Sequence, residues 1–210
     1  MNAARRSSKR RSPADKPAGR VRIVGGLYRS RVIDVPERPD LRPTPNRVRE
    51  TLFNWLGQEL AGLACLDLYA GSGALGFEAA SRGAARVVMV EQDRVALRAL
   101  EKNRAALDAK QVEIVPGDAL AYLARPAAAL RFDVVFLDPP FRQNVFPDLM
   151  RGLAKRLAPG ARVYVEAAAP LETEPPWREL KRRRAGQVSY QLLRWEGDEQ
   201  SHQGGISGNV

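Results

Sequence analysis

Residues 67–79 read DLYAGSGALGFEA, and how this stretch is read decides the fold. Gly71, Gly73 and Gly76 satisfy G-x-G-x-x-G, directly after an apolar run and at the opening of a helical pattern. Glycines at such a junction let a strand turn tightly into a helix and let a ligand approach the backbone. Glu91 follows Gly71 by twenty residues and ends the next apolar run. Strand, glycines, helix and distant acid together make a nucleotide-binding βαβ unit, with the acid set for ribose hydroxyls. A merely tight turn would not require the acid.

Outward from this unit the βα alternation continues. Strands are expected at Ala64–Ala70, Arg86–Glu91, Gln111–Val115, Phe132–Asp138 and Ala161–Glu166, with helices at about 74–82, 93–107, 118–125 and 145–157. Strands separated by helices of this length imply a parallel sheet with right-handed crossovers. The pattern changes in ELKRRRAGQVSYQLLRW, residues 179–195, where two strand-like runs flank RAGQ and Val188, Tyr190 and Leu192 alternate with polar neighbours. That predicts an antiparallel hairpin at the sheet edge. Upstream, VRIVGGLYRSRVIDV (21–35) reads as two short strands around a glycine turn. A proline-rich connector leads into a helix over 46–57, with Val48, Leu52, Trp55 and Leu56 on one face, Thr44 as N-cap and Pro45 at the first helical position.

The chain has 210 residues, 44% of them hydrophobic, enough for one large domain. No apolar run approaches the ~18 residues of a membrane helix, so no membrane partner is expected. No apolar segment follows the N-terminal charges, as a secretory signal would require. Cys65 is the only cysteine, so no intramolecular disulfide can form, which fits a reducing cytoplasm. The only histidine, His202, lies in a polar, glycine-rich end, and no metal site is expected. The net charge of +10 points to an anionic partner. Seven basic side chains against one acid give the first twenty residues +6 of that total. The expected organisation is a disordered basic tail (1–19), a hairpin-helix extension that binds RNA (20–60), a ligand-binding domain (61–196) and a flexible end (197–210).

Asp67 sits on the strand, four residues before Gly71. A carboxylate there disfavours a pyrophosphate and suits a cation. S-adenosylmethionine carries an ammonium and a sulfonium and no phosphate. Glu91 would take its ribose, and Asp118, in VPGDAL, its adenine amine; Asp118 is equally placed to cap a helix. The pocket is therefore expected to involve Asp67, Tyr69, Ala70, Gly71, Ser72, Gly73, Glu91, Gln92, Asp118 and Ala119.

A second stretch, DVVFLDPPF (133–141), names the chemistry. Val134–Leu137 read as a strand buried on both faces. Pro139 lacks an N–H, so pairing stops and Asp138 is delivered to the strand end. This fourth strand should lie beside the first, at the switch point where open α/β sheets bind ligands. The lone pair of an exocyclic amine on a nucleobase is delocalised into the ring. Asp138 and the Pro139 carbonyl can accept its protons and localise that pair, Pro140 stiffens the segment, and Phe141 can stack on a flipped base.

Together with EQD (91–93) and GDA (117–119), these motifs resemble class I S-adenosylmethionine-dependent amino-methyltransferases. RIVGGLYRSR (22–31), LRPTPNRVRETLFNWL (41–56) and CLDLYAGSGALGFEAASRGA (65–84) narrow the resemblance to the RsmD family of small-subunit ribosomal RNA guanine-N2 methyltransferases, over roughly residues 20–195. The chain departs from the family pattern at Pro45-Asn46, before RVRE. The resemblance implies a Rossmann-like, seven-stranded, mostly parallel α/β sheet with an antiparallel C-terminal hairpin. It also implies S-adenosyl-L-methionine as donor and a guanine 2-amino group as acceptor, in ribosomal RNA free or within a partly assembled subunit. A cytoplasmic monomer is expected. Arg22, Arg29, Arg31, Arg42, Thr44, Arg47 and Arg49, in the N-terminal segment, are expected to contact RNA. A DNA adenine methyltransferase usually has tyrosine in the aromatic place and carries a separate target-recognition region. A noncatalytic RNA-binding scaffold would not need an intact Asp-Pro-Pro-Phe. A carbon-five pyrimidine methyltransferase needs a cysteine nucleophile in a loop, and Cys65 is on a strand.

Overall fold

Short apolar runs pair into two sheets in the computed structural model, which describes residues 17–36, 44–126, 130–140 and 145–197. Strands β1 (Pro17–Arg22) and β2 (Val32–Pro36) form an antiparallel ribbon. Helix α1 (Asn46–Leu56) follows. Then β3 (Ala64–Asp67), α2 (Ala74–Ser81), β4 (Arg86–Glu91), α3 (Arg94–Leu107), β5 (Val112–Pro116), α4 (Ala119–Ala124), β6 (Phe132–Leu137), α5 (Phe146–Ala154) and β7 (Leu157–Ala167) alternate. The hairpin of β8 (Trp177–Ala185) and β9 (Val188–Trp195) completes a seven-stranded sheet in the order β5-β4-β3-β6-β7-β9-β8. Strands β3 to β7 are parallel, and β9 runs antiparallel between β7 and β8. The chain order reverses between β3 and β6, so the ligand crevice of such a sheet lies at the ends of these two strands. Among the described residues no helix is long and apolar enough to cross a membrane.

Strand periodicity sorts the core into two layers. Val134, Phe136 and Tyr164 face α1, α2, α3 and the ribbon, whereas Val135, Leu137, Val163 and Val165 face α4 and α5. Both faces of β6 are therefore apolar, as the run VVFL requires.

The N-terminal segment is docked on the first layer by a buried charge cluster. Glu78, fully buried on α2, accepts from the Val24 and Gly25 amides at 2.9 and 2.8 Å. It also pairs with Arg49 at 3.2 Å and Arg82 at 2.9 Å. Arg82 lies 4.7 Å from the centre of the Phe53 ring. Gly26 has φ +74, and a Cβ there would fall 1.8 Å from the Ser81 carbonyl oxygen, so only glycine lets the turn close on α2. Asn103 of α3 exchanges two hydrogen bonds with the Asp34 backbone, at 3.0 and 2.9 Å, and so holds β2.

Several expectations are corrected. Strand β1 begins at Pro17, inside the span assigned to the tail. Pro45, not Thr44, is the N-cap of α1, and no side chain caps the helix; Thr44 itself is buried. Trp55 is only half-buried, packed on Tyr190 with ring centres 5.6 Å apart. Arg49 and Phe53 occupy the buried stripe of α1. Strand β9 does not alternate: Ser189 and Gln191 are buried too, because the strand has a neighbour on each side and a packed layer on each face. Strand β3 ends at Asp67 rather than Ala70, where the chain leaves the ladder for the glycine loop.

Candidate functional site

The loop leaving β3 is built around two acids. Asp67 is almost fully buried, and its Oδ2 accepts from the Gly76 amide at 3.2 Å. Burial pushes its carboxyl up to about 7, against the hydrogen bonds it accepts from the Gly76 and Tyr69 amides. Glu91 ends β4 and bridges two backbone amides, Gly71 at 2.8 Å and Asp93 at 2.7 Å. The spacing of Glu91 suggested a ribose contact; that it also holds the glycine loop against the adjoining strand was not visible in the sequence. Gly73 has φ +80, and a Cβ would lie 2.6 Å from both Leu100 and Phe77, so this turn excludes side chains. Ser72 Oγ accepts from the Ala74 amide at 3.3 Å, and the Ala70 amide donates to Val90 at 3.1 Å.

Asp118 caps α4, its Oδ1 accepting from the Ala121 amide at 2.9 Å. Tyr69 is half-buried, and its phenol is raised to about 12 by burial and then by the Asp118 carboxylate. The Asp118 carboxylate after β5 is thus close enough to act on the Tyr69 phenol after β3. The Gly117 amide donates to the Glu91 carbonyl at 2.9 Å, tying the β5 end to β4. Gln92 is exposed and Ala119 buried beside them.

Asp138 stands one residue beyond the Leu137–Val165 pair of β6 and β7, which sets it beside Glu166. Asp67 pairs with Phe136 across β3 and β6. Alternation then puts Asp67, Asp138 and Glu166 on one face of the sheet, the face covered by α1 and α2. Burial, then the carboxylates of Glu166 and Asp67, push the Asp138 carboxyl well above its usual range. Glu166 Oε1 accepts from the Tyr164 hydroxyl at 2.8 Å, and burial raises this carboxyl also. Glu166 was missed by sequence reasoning, although in VYVEA it ends an apolar run as Asp138 ends its own. Pro139 is buried and Pro140 exposed. Phe141 and Arg42 lie outside the described residues.

Of the basic residues expected to meet RNA, Arg22, Arg29, Arg31 and Arg47 are exposed. Arg31 Nη2 donates to the Ala106 carbonyl at 2.5 Å. Arg49 is not at the surface. It is fully buried, paired with Glu78, and donates to the Arg22 carbonyl at 2.7 Å and to Asn46 Oδ1 at 2.6 Å. A guanidinium with these partners is a structural cation. Thr44, being buried, presents no open contact surface.

The family described as conserved hypothetical protein 95 matches residues 21–194. Ribosomal RNA small subunit methyltransferase D of Escherichia coli strain K12 is 41% identical over 196 residues, covering 91% of this chain and 98% of its own. The protein of the same name from Haemophilus influenzae is 43% identical over 180 residues, covering 83% and 93%. The solved structure of the putative methyltransferase yhhF from Escherichia coli superimposes with a TM-score of 0.77 at 41% identity, over 85% of this chain and 99% of that one.

Proposed function

The chain belongs to the RsmD family, and from that premise we propose that it methylates the exocyclic 2-amino group of a guanine in small-subunit ribosomal RNA, with S-adenosylmethionine as donor. The observation that carries this reading is the delivery of Asp138, backed by two prolines, to the end of β6 beside β3, on the same face as Asp67. The donor site fits a cation without phosphate: its side chains are the carboxylates of Asp67, Glu91 and Asp118, and its loop is closed to side chains at Gly73. When bound, S-adenosylmethionine supplies an electrophilic methyl group. Asp138 and the Pro139 carbonyl accept the N–H protons of the guanine amine and hold its lone pair in line. As the nitrogen gains the methyl group it becomes cationic, and Asp138 takes the proton it sheds. Asp67 faces the ammonium group, Glu91 the ribose and Asp118 the adenine amine. Phe141 stacks on the flipped base. Arg22, Arg29, Arg31 and Arg47, together with Arg42, offer cations to RNA phosphates; Arg31, held on the Ala106 carbonyl at the end of α3, lies toward the end of the sheet opposite the pocket.

Two measurements test the donor assignments. Glu91→Gln keeps one amide contact and loses the anionic ribose partner. Donor affinity should fall by about 1–3 kcal/mol, the scale of a charged hydrogen bond. An unchanged affinity by calorimetry would restrict Glu91 to holding the loop. The second is a proton count. Asp67 is protonated below about 7 in the free protein, and a bound cation favours its carboxylate. Donor binding near neutral pH should release protons, seen as a binding heat that varies with the buffer's ionisation enthalpy, and affinity should fall as pH drops through 7. The raised folded pKa also means that the native state holds a proton the unfolded chain lacks between about pH 4 and 7. Asp67 therefore contributes stability at low pH that is lost as pH rises through that window. Asp67→Asn should abolish the buffer dependence; a wild-type heat independent of buffer would contradict the assignment.

The activity itself is tested with methyl-labelled donor and small-subunit RNA, naked and in partly assembled subunits. Label in RNA in at least one form is expected. No transfer to either, with donor binding intact, would overturn the reading.

A further inference from the structure

We propose that the outer strand β8 is a phosphate-binding rim for the RNA strand that carries the target base. This rests on the methylation reading above and adds to it a contact surface outside the N-terminal segment. Strand β8 is the free edge of the sheet and holds Arg178, Lys181, Arg182, Arg183 and Arg184. A register shift between Glu179 and Lys181 resets its alternation, so that Lys181 opposes Leu192, Arg182 opposes Gln191 and Arg183 opposes Tyr190. The basic residues then differ in their partners. On the face turned towards α5, Arg182 is paired with Glu179 at 2.8 Å. Arg184 Nε, on this face too, donates to the Gly186 carbonyl at 3.1 Å. Arg178 opposes Arg194 on the other face and is paired with Glu196 at 2.7 Å. On the face turned towards α1, Lys181 and Arg183 are exposed and make no ion pair among the described residues.

That second face is the one that carries Asp138. Glu166 pairs with Tyr190 across β7 and β9, and Tyr190 pairs with Arg183 across β9 and β8. Asp138, Glu166, Tyr190 and Arg183 thus form one row along the hydrogen-bonding direction. Strands spaced by ~4.8 Å put the Arg183 backbone about 10 Å from Glu166 and about 15 Å from Asp138. An arginine side chain extending from there meets the phosphates that flank a base inserted at Asp138. Basic residues on an edge strand also discourage edge-to-edge pairing. That role explains the charge but not why Lys181 and Arg183 make no ion pair among the described residues while Arg178 and Arg182 on the same strand do. RNA, with one negative charge per nucleotide, is the partner whose chemistry matches an exposed arginine in line with a base-sized site and an exposed lysine beside it.

The test is the double variant Lys181→Gln with Arg183→Gln, and Arg182→Gln as a control on the other face. Binding of a small-subunit RNA fragment is measured over a salt series, with KM for RNA at saturating donor, donor affinity by calorimetry, and light scattering for self-association. The double variant should bind RNA about tenfold more weakly at low salt, with KM rising in parallel. Its log–log salt slope should be shallower by about 1.4, the value for two lost contacts to a single strand. Donor affinity should hold, and Arg182→Gln should match wild type throughout. Wild-type RNA affinity and slope in the double variant would overturn the rim, as would self-association with RNA binding intact, which would make the charges edge protection only. A wild-type protein that neither binds nor methylates RNA would overturn the methylation reading and the rim together.

Discussion

Asp138→Ala should lower methyl transfer by about 10²–10⁴-fold, the range by which a positioned proton acceptor accelerates a reaction. Donor affinity should stay within a few-fold, because the variant loses the acceptor side of the pocket and keeps Asp67, Glu91 and Asp118. The fold should survive as well. Asp138 is held in a low-dielectric corner with Glu166 and Asp67, and burial and repulsion raise its carboxyl well above the usual range. In that state the native protein binds a proton that the unfolded chain has already released. Asp138 therefore contributes stability at low pH that is lost as pH rises. Removing it should leave the melting temperature at pH 8 unchanged or higher. The same shift sets the pH profile of the wild type. A protonated carboxyl offers the amine less acceptor capacity, so turnover should fall on acidification above the ordinary carboxylate range. Near-normal turnover in Asp138→Ala, or a sharp loss of stability with donor binding abolished, would contradict the assignment.

Glu78→Gln should cost about 3–5 kcal/mol of folding stability, the usual penalty when one member of a buried ion cluster is removed. The substitution is nearly isosteric, so the loss comes from charge. Arg49 and Arg82 would be left in the core without a counterion, and the Val24 and Gly25 amides would compete for a single amide oxygen. Against a total stability of about 5–15 kcal/mol, this should lower the melting temperature by roughly 10 °C for a chain of this size. Chemical denaturation of both proteins at pH 7 gives the number. A loss below about 1 kcal/mol would mean that the cluster does not anchor the N-terminal ribbon.

The sequence made the methyltransferase domain legible because its signals are local. G-x-G-x-x-G, the acid twenty residues on, and an apolar strand ended by Asp-Pro-Pro each lie within one supersecondary unit, and chirality rules then fix the order of parallel strands. What escaped depends on pairing through space. Glu78 finds Arg49 across 29 residues and the Val24 amide across 54. Nothing in FEAAS announces that its glutamate is a buried hub. Arg49 was misread for a related reason: charged residues are almost never fully buried unless paired, so its place in the α1 stripe beside Phe53 was passed over. Capping at Thr44 was expected from residue type alone, and the helix starts without a side-chain cap. Glu166 was legible and unread: it ends β7 as Asp138 ends β6, and only the register of the two strands shows that the acids are neighbours.

In the proposed reaction Asp138 and the Pro139 carbonyl present the 2-amino group of a guanine to the donor. The most direct test is nucleoside analysis of small-subunit RNA after transfer from methyl-labelled donor, with Asp138→Ala in parallel. The label recovered should be 2-methylguanosine, and it should disappear in the variant. Label in 6-methyladenosine, in a ring-carbon methylated pyrimidine, or in 2-methylguanosine at equal yield from Asp138→Ala would contradict that reaction.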